Sequence, residues 1–344
     1  MVKSKKGNNG CLWFFVVSLL SIFSFIIIKV AFSISTNIAL ILAIAGSVLF
    51  LKLILGKQNN KNLVRSGIFI FILLYGLKSI FLFFLNSLEP NKEESITFKE
   101  EEKTTKTPIV KDQDTTFLYT SNRNWIDNYG NRYSGALSVR EKDYTKLKSK
   151  IDSYKSTSSK YFWGRLYDHL EQQDTPSLDL VMETFIQINK EKKLNQMEFA
   201  EMVVTCIQDI PYAFVLQNDC PSPEEYDDSN RTILENCPSC CIGNKKFGIQ
   251  NPVSFIKNLK GDCDTRTVLV YSILKYFKYD VAIVNSNFYR HSIIGINLPT
   301  SGYYKTYNGK KYALWETTAM YYKAGALPAS FNNVAHWNIV LTSK

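Results

Sequence analysis

The chain has 344 residues, 45% of them hydrophobic and 14% aromatic, enough apolar material for a sizeable core and too much for a disordered polypeptide. Its formal net charge of +10 is unevenly placed: residues 1–88 hold nine basic groups (Lys3, Lys5, Lys6, Lys29, Lys52, Lys57, Lys61, Arg65 and Lys78) and no acidic one, and the remainder is nearly balanced. A basic surplus confined to the flanks of apolar stretches points to a lipid bilayer and excludes nucleic acid as the partner.

In chain order, residues 12–32, 38–55 and 67–85 come first, each apolar and each close to the ~20 residues that cross a bilayer as a helix. The first lacks a small-residue cleavage site before the second, unlike a removable leader. Lys29 and Lys52 lie near segment ends and can snorkel. Lys78 is mid-segment, where facing lipid costs ~2.5–3.5 kcal/mol, so it is expected to face a neighbouring helix or a polar cavity. The amino terminus and the loop GKQNNKNLVRSG are both basic and expected on the cytoplasmic side. Three crossings then put everything after Pro90 on the non-cytoplasmic side; a re-entrant third segment would reverse this. Residues 1–88 are thus read as a membrane domain of three transmembrane helices.

Residues 89–115 are charged and poor in large apolar groups, the composition of a tether that cannot fold alone. Residues 116–194 read as accessory strands and helices. RNWIDNYGNRYSGALSVREKDY alternates aromatic, turn and apolar residues as a hairpin does. YFWGRLYDHLEQQ and SLDLVMETFIQINKEKK carry apolar residues at helical spacing. From 195 to 344 a second pattern begins. A helix over 195–208 opens on a capping Asn195 and stops before Pro211. A loop over 217–248 is rich in Cys, Pro, Asp and Asn. A helix over 263–277 follows, then strands over 280–284, 291–297 and 311–317, with Asn308-Gly309 as a hairpin turn. Helices followed by antiparallel strands give an α+β fold class.

The segment KGDCDTRT precedes VLVYSILKYF, which is apolar around almost its whole circumference and reads as a buried central helix. Asp262 is placed to cap it, so Cys263 opens it, where free N–H groups and the helix dipole favour a thiolate. Asp262 and Asp264 oppose this, since negative neighbours raise a thiol pKa, and activation would require a nearby imidazolium. There are three histidines. His169 falls on the solvated face of a helix and His336 before the terminal strand, whereas His291 opens a strand. If that strand pairs with the one ending at Glu316 about a loop centred on Tyr303 and Tyr304, His291 lies directly opposite Glu316, within side-chain reach. A carboxylate there can orient the ring and stabilise its cation.

Gly-Asp-Cys at a helix start, a histidine opening a strand some thirty residues on, and an acid-Thr at the end of the next strand resemble the transglutaminase-like branch of the papain-like cysteine hydrolases. Bacterial and archaeal membrane-anchored members are the nearest in pattern, through IQDIPY at 207–212, GDC at 261–263 and ETT at 316–318. The resemblance spans residues 198–328. It implies a papain-like fold, with the cysteine helix packed on an antiparallel sheet, and a peptidase or amidase acting through a thioester. Cys263 would be the nucleophile, His291 the base and acid, and Glu316 the orienting carboxylate. Gln208 would be a candidate oxyanion donor. Protein or peptide is the implied substrate, and no cofactor is required. Acyl transfer to an amine, or a non-catalytic binding module, are the alternatives. Many relatives carry Asp-Pro-Thr where this chain has Glu316-Thr317-Thr318, and an aromatic residue where it has Ser292-Ile293.

Cys206, Cys220, Cys237, Cys240 and Cys241 remain. A non-cytoplasmic compartment favours disulfides stapling the 217–248 loop; zinc held by Cys220, Cys237 and Cys240 is the alternative.

Overall fold

A computed structural model describes residues 103–111, 114–156 and 159–344, with helical positions at 20–21, 24–25, 42–47 and 49. The chain divides into two compact units, Met1–Glu93 and Glu94–Lys344. Most of the three apolar segments, and so the reading of them as spans, lies outside the described residues. Among those residues no helix is long and apolar enough to cross a membrane.

The second unit is mixed α+β. It opens with an antiparallel sheet of β1 (Thr105–Lys111), β2 (Asp114–Ile126) and β3 (Arg132–Arg140). The expected hairpin is β2–β3. Its turn is tied by Asp127, whose Oδ1 accepts from the N–H of Tyr129 (2.9 Å) and of Asn131 (2.8 Å). Trp125, Tyr133, Leu137 and Val139 supply the buried face. The tether reading is corrected over 105–111: residues 105–109 are exposed, but an edge strand needs only a neighbour's free backbone groups, and β2 offers them.

Helices α1 (Glu141–Ser153), α2 (Phe162–Asp174), α3 (Asp179–Lys192) and α4 (Gln196–Gln208) follow. The last three match the apolar spacing. Asn195 caps α4 through a reciprocal pair: its Oδ1 accepts from Glu198 N–H, and the Glu198 carboxylate accepts from Asn195 N–H. Every residue of α4 from Phe199 onward is buried, so it is an interior helix. The two-residue strands β4 (Phe214–Val215) and β5 (Cys241–Ile242) pair in parallel. Around them come α5 (Asp228–Asn236), α6 (Pro252–Asn258) and α7 (Cys263–Tyr276).

Helix α7 is the centre. Residues 265–274 are fully buried, against α2, α4 and α6 on one side and the strands β6 (Val281–Ser286) and β7 (His291–Ile296) on the other. With β8 (Tyr304–Tyr307), β9 (Lys310–Trp315) and β10 (Asn338–Thr342) these form a five-stranded antiparallel sheet in the order β10-β6-β7-β9-β8. Truncating one such buried leucine to alanine costs about 2–5 kcal/mol. Gly164 lets α2 close on β10, because a Cβ there would lie 2.3 Å from the Val340 carbonyl oxygen.

The expected β7–β9 register is corrected. The ladder pairs Ile294 with Trp315 and Ile296 with Ala313, two residues away from a register that sets His291 opposite Glu316. The Asn308-Gly309 turn pairs β9 with β8, Tyr307 against Lys310, and so fixes nothing about β7. A slip of two keeps every side chain on its own face, whereas a slip of one would have moved His291 and Glu316 apart.

Candidate functional site

The site is built where α7, β7 and β9 begin or end. Asp262 caps α7 as expected, Oδ1 accepting from Thr265 N–H at 3.0 Å. Gly261 packs so tightly that a Cβ would stand 2.9 Å from Thr265 Cγ2 and 3.1 Å from Phe255 Cδ2. This fixes Cys263 at the helix tip, 7% exposed. The backbone N–H of Ser292, the residue after His291, lies near enough to the sulfur to favour its charged form.

His291, 9% exposed, opens β7. Its Nε2 lies 2.8 Å from Glu316 Oε2. The other carboxylate oxygen, Oε1, accepts from Thr317 N–H (2.8 Å), Thr318 N–H (2.7 Å) and the Thr318 hydroxyl (2.7 Å). The imidazole lies on the Phe331 ring at 4.9 Å, with Trp337 edge-on at 6.0 Å. One turn into α7, the Thr267 hydroxyl reaches the Ser292 carbonyl and the Thr317 hydroxyl, both at 3.1 Å, tying the helix to both strands. The structure therefore pairs His291 with Glu316 and sets Ser292, the residue after His291, near the Cys263 thiol.

The charges follow from this geometry. Burial disfavours a charged imidazole, but the Glu316 charge and hydrogen bond, with Asp264 and Asp262, outweigh it and raise the His291 pKa. Burial likewise opposes a charged Glu316, yet His291 and Thr318 hold its pKa below the ordinary carboxylate range. Burial, then Asp264 and Asp262, push the Cys263 thiol well up, with the Ser292 N–H pulling the other way. Asp262 is raised to about 7 by burial and by Asp264.

Several residues that hold the site gave no signal in the sequence. Asp264 Oδ1 accepts from the Tyr167 hydroxyl (2.8 Å) and from Ser292 Oγ, and Asn285 Nδ2 donates to the same tyrosine at 3.0 Å. Ser292, where many relatives of the resembled family carry an aromatic residue, thus stands near the sulfur and grips the neighbouring carboxylate. Arg266 is fully buried and donates to the carbonyls of Gly261 (3.0 Å), Ile207 (2.6 Å) and Ile210 (2.5 Å). Its cation caps the C-terminal end of α4 and locks that helix to the start of α7. Burial lowers its pKa to about 10, which leaves it charged at neutral pH.

Gln208 has no amide hydrogen left over for an oxyanion. Its Nε2 donates to the backbone carbonyls of Glu316 (2.7 Å) and Tyr322 (3.1 Å), which engages both amide hydrogens. It anchors the segment that follows β9 instead. His169 packs against Tyr154 at 4.5 Å, and His336 stacks on Phe288 at 4.0 Å. The cysteine loop carries the disulfides Cys220–Cys241 and Cys237–Cys240, so the zinc alternative is corrected: the sulfurs it needs are covalently paired. Cys206 is a buried thiol outside both bridges. No protein-family model, no curated protein and no solved structure matches this chain.

Proposed function

We propose that the chain is a membrane-anchored cysteine hydrolase of transglutaminase-like, papain-like architecture, cleaving an amide of a protein or peptide on the non-cytoplasmic side through a thioester. The observation that carries this reading is the buried His291–Glu316 pair, 2.8 Å apart, in a site that also holds Cys263 at the tip of a central helix.

Because Nε2 of His291 is engaged by Glu316, Nδ1 is the nitrogen that exchanges a proton with sulfur. The thiolate attacks the carbonyl carbon of the substrate amide. The tetrahedral oxyanion is met by the N–H of Cys263, which as the first helical residue has no acceptor within the helix. The imidazolium gives its proton to the leaving nitrogen as the C–N bond breaks, and a thioester remains. Water then attacks that carbonyl, His291 takes its proton, and the acid leaves as sulfur is released. An amine in place of water would give transfer rather than hydrolysis.

A raised thiol pKa and 7% exposure favour a second reading, a binding module on the same scaffold. The two part in one experiment. The full chain is treated with iodoacetamide near neutral pH, and modification at Cys263 is followed by peptide mass spectrometry in wild type and His291→Ala. Labelling that falls steeply in the variant supports the hydrolase; equal rates in both proteins support the module.

A further inference from the structure

A cavity of about 830 Å³ opens among α2, β6 and β10, within the size range of small-molecule sites, and none of the residues lining it is charged. Its polar side chains include three carboxamides, those of Asn285, Asn287 and Asn338, and its rings include Tyr161, Trp163 and Tyr307. The carboxamides are together because of register. Asn338 pairs with Asn285 across β10–β6, and Asn287 follows two residues on, beyond the end of β6.

Among the described residues Asn285 uses only its Nδ2, toward Tyr167, and the side chains of Asn287 and Asn338 make no hydrogen bond. Three amides with unused donors and acceptors therefore face one neutral space. Tyr161 is 74% exposed and held at φ 55°, a left-handed conformation that a bulky residue adopts only when its surroundings impose it. A large ring thus stands exposed at the rim, and Tyr307 is exposed as well.

Flat apolar rings beside uncharged groups that both give and accept hydrogen bonds are complementary to a pyranose, which has an apolar C–H face and a hydroxyl rim. An extended peptide added to the sheet fits less well. The β10 edge is closed on by Gly164 at Val340, and its pairing is broken by an irregularity between Ile339 and Leu341. We infer that this cavity binds a neutral saccharide, held by the carboxamides of Asn285, Asn287 and Asn338 and stacked on Tyr161 and Trp163.

The same register line continues from Asn285 to Ser292, the residue after His291. On the hydrolase reading, a sugar bound on this part of the sheet is the glycan part of a glycosylated substrate. Binding itself does not depend on that reading.

The test titrates the full chain, in a detergent whose headgroup contains no sugar, with chitotriose, maltotriose and an uncharged N-acetylated tripeptide amide. Heat and tryptophan emission are recorded. One of the trisaccharides is expected to bind with saturation and to shift the emission. Tyr161→Gly removes the ring while suiting the left-handed backbone, and with Asn338→Ala it should weaken binding at least tenfold. Iodoacetamide labelling of Cys263 in both variants should stay at the wild-type rate. Absence of saturable saccharide binding, binding of the peptide alone, or unchanged affinity in both variants would overturn the proposal. Loss of His291-dependent labelling with saccharide binding intact would instead overturn the hydrolase.

Discussion

Gln208 donates to the backbone carbonyl of Glu316, the residue whose side chain holds His291. The Tyr322 carbonyl six residues on accepts from Gln208, from Asn128 and from the Trp315 indole. The loop that carries the carboxylate is therefore pinned from α4, from the β2–β3 turn and from β9. Replacing Gln208 by alanine takes the side-chain donor from the buried Glu316 carbonyl, while the Tyr322 carbonyl keeps Asn128 and Trp315, and should lower stability by about 1–3 kcal/mol. Cys263 labelling should slow with it, because Glu316 then holds the imidazole less rigidly. Chemical denaturation and the labelling rate check both; a variant as stable and as reactive as wild type would remove Gln208 from this role.

Asp264 sits beside the thiol and adds to the burial that pushes its pKa up. Asp264→Asn keeps an oxygen for Tyr167 and Ser292 but removes the charge, so the rate–pH profile of Cys263 labelling should move to lower pH. Glu316→Gln should act in the opposite sense on the imidazolium and cut any hydrolytic kcat by about 10²–10⁴, as loss of an orienting carboxylate does elsewhere. A profile that moves to higher pH in Asp264→Asn would contradict this account of the charges.

Three carboxyl groups, on Asp174, Glu201 and Asp262, have pKa values raised to about 7, each chiefly by burial. Between the ordinary carboxylate range and pH 7 the folded chain keeps protons that the unfolded chain has released. Raising pH through that window strips them and lowers stability. His291, also raised, acts in the same direction, losing its contribution as pH passes its folded pKa. Glu316, lowered, contributes above the ordinary carboxylate range and loses that contribution as pH falls through its folded value. The melting temperature should therefore be higher near pH 5 than at pH 7.5, with a shallower slope in the Asp174→Asn, Glu201→Gln double variant. A wild-type melting temperature that rises over this interval is incompatible with these shifts.

The two disulfides should differ in weight. Cys220–Cys241 closes a loop with a sequence separation of 21 and Cys237–Cys240 one of 3. On chain entropy the former is worth about 3 kcal/mol and the latter much less. The Cys220→Ser, Cys241→Ser pair should open the 217–248 loop to protease at concentrations that leave the Cys237→Ser, Cys240→Ser pair intact. Equal cleavage in the two would mean that the loop is held by its other contacts, such as the Lys260 ammonium on the Ser239 carbonyl at 2.7 Å.

Much of the fold was legible because its causes are local. The cap at Asn195, the all-round apolar run after Cys263, the Asn308-Gly309 turn and the strand opening at His291 each depend on residues within a few positions of one another. The placement of Cys263, His291 and Glu316 was legible too, since each sits at the end of an element whose type the sequence sets. The β7–β9 register was not, because the turn that could have fixed it belongs to β8, and burial of Trp315 in the core favours the observed one. Nor were Ser292, Tyr167 and Arg266 as supports, or the row of carboxamides. Gly261 apart, five residues from Arg266, their partners lie 25 to 125 residues away in the chain, and no local pattern encodes a contact that only the packing of α7 between its sheet and its neighbouring helices creates.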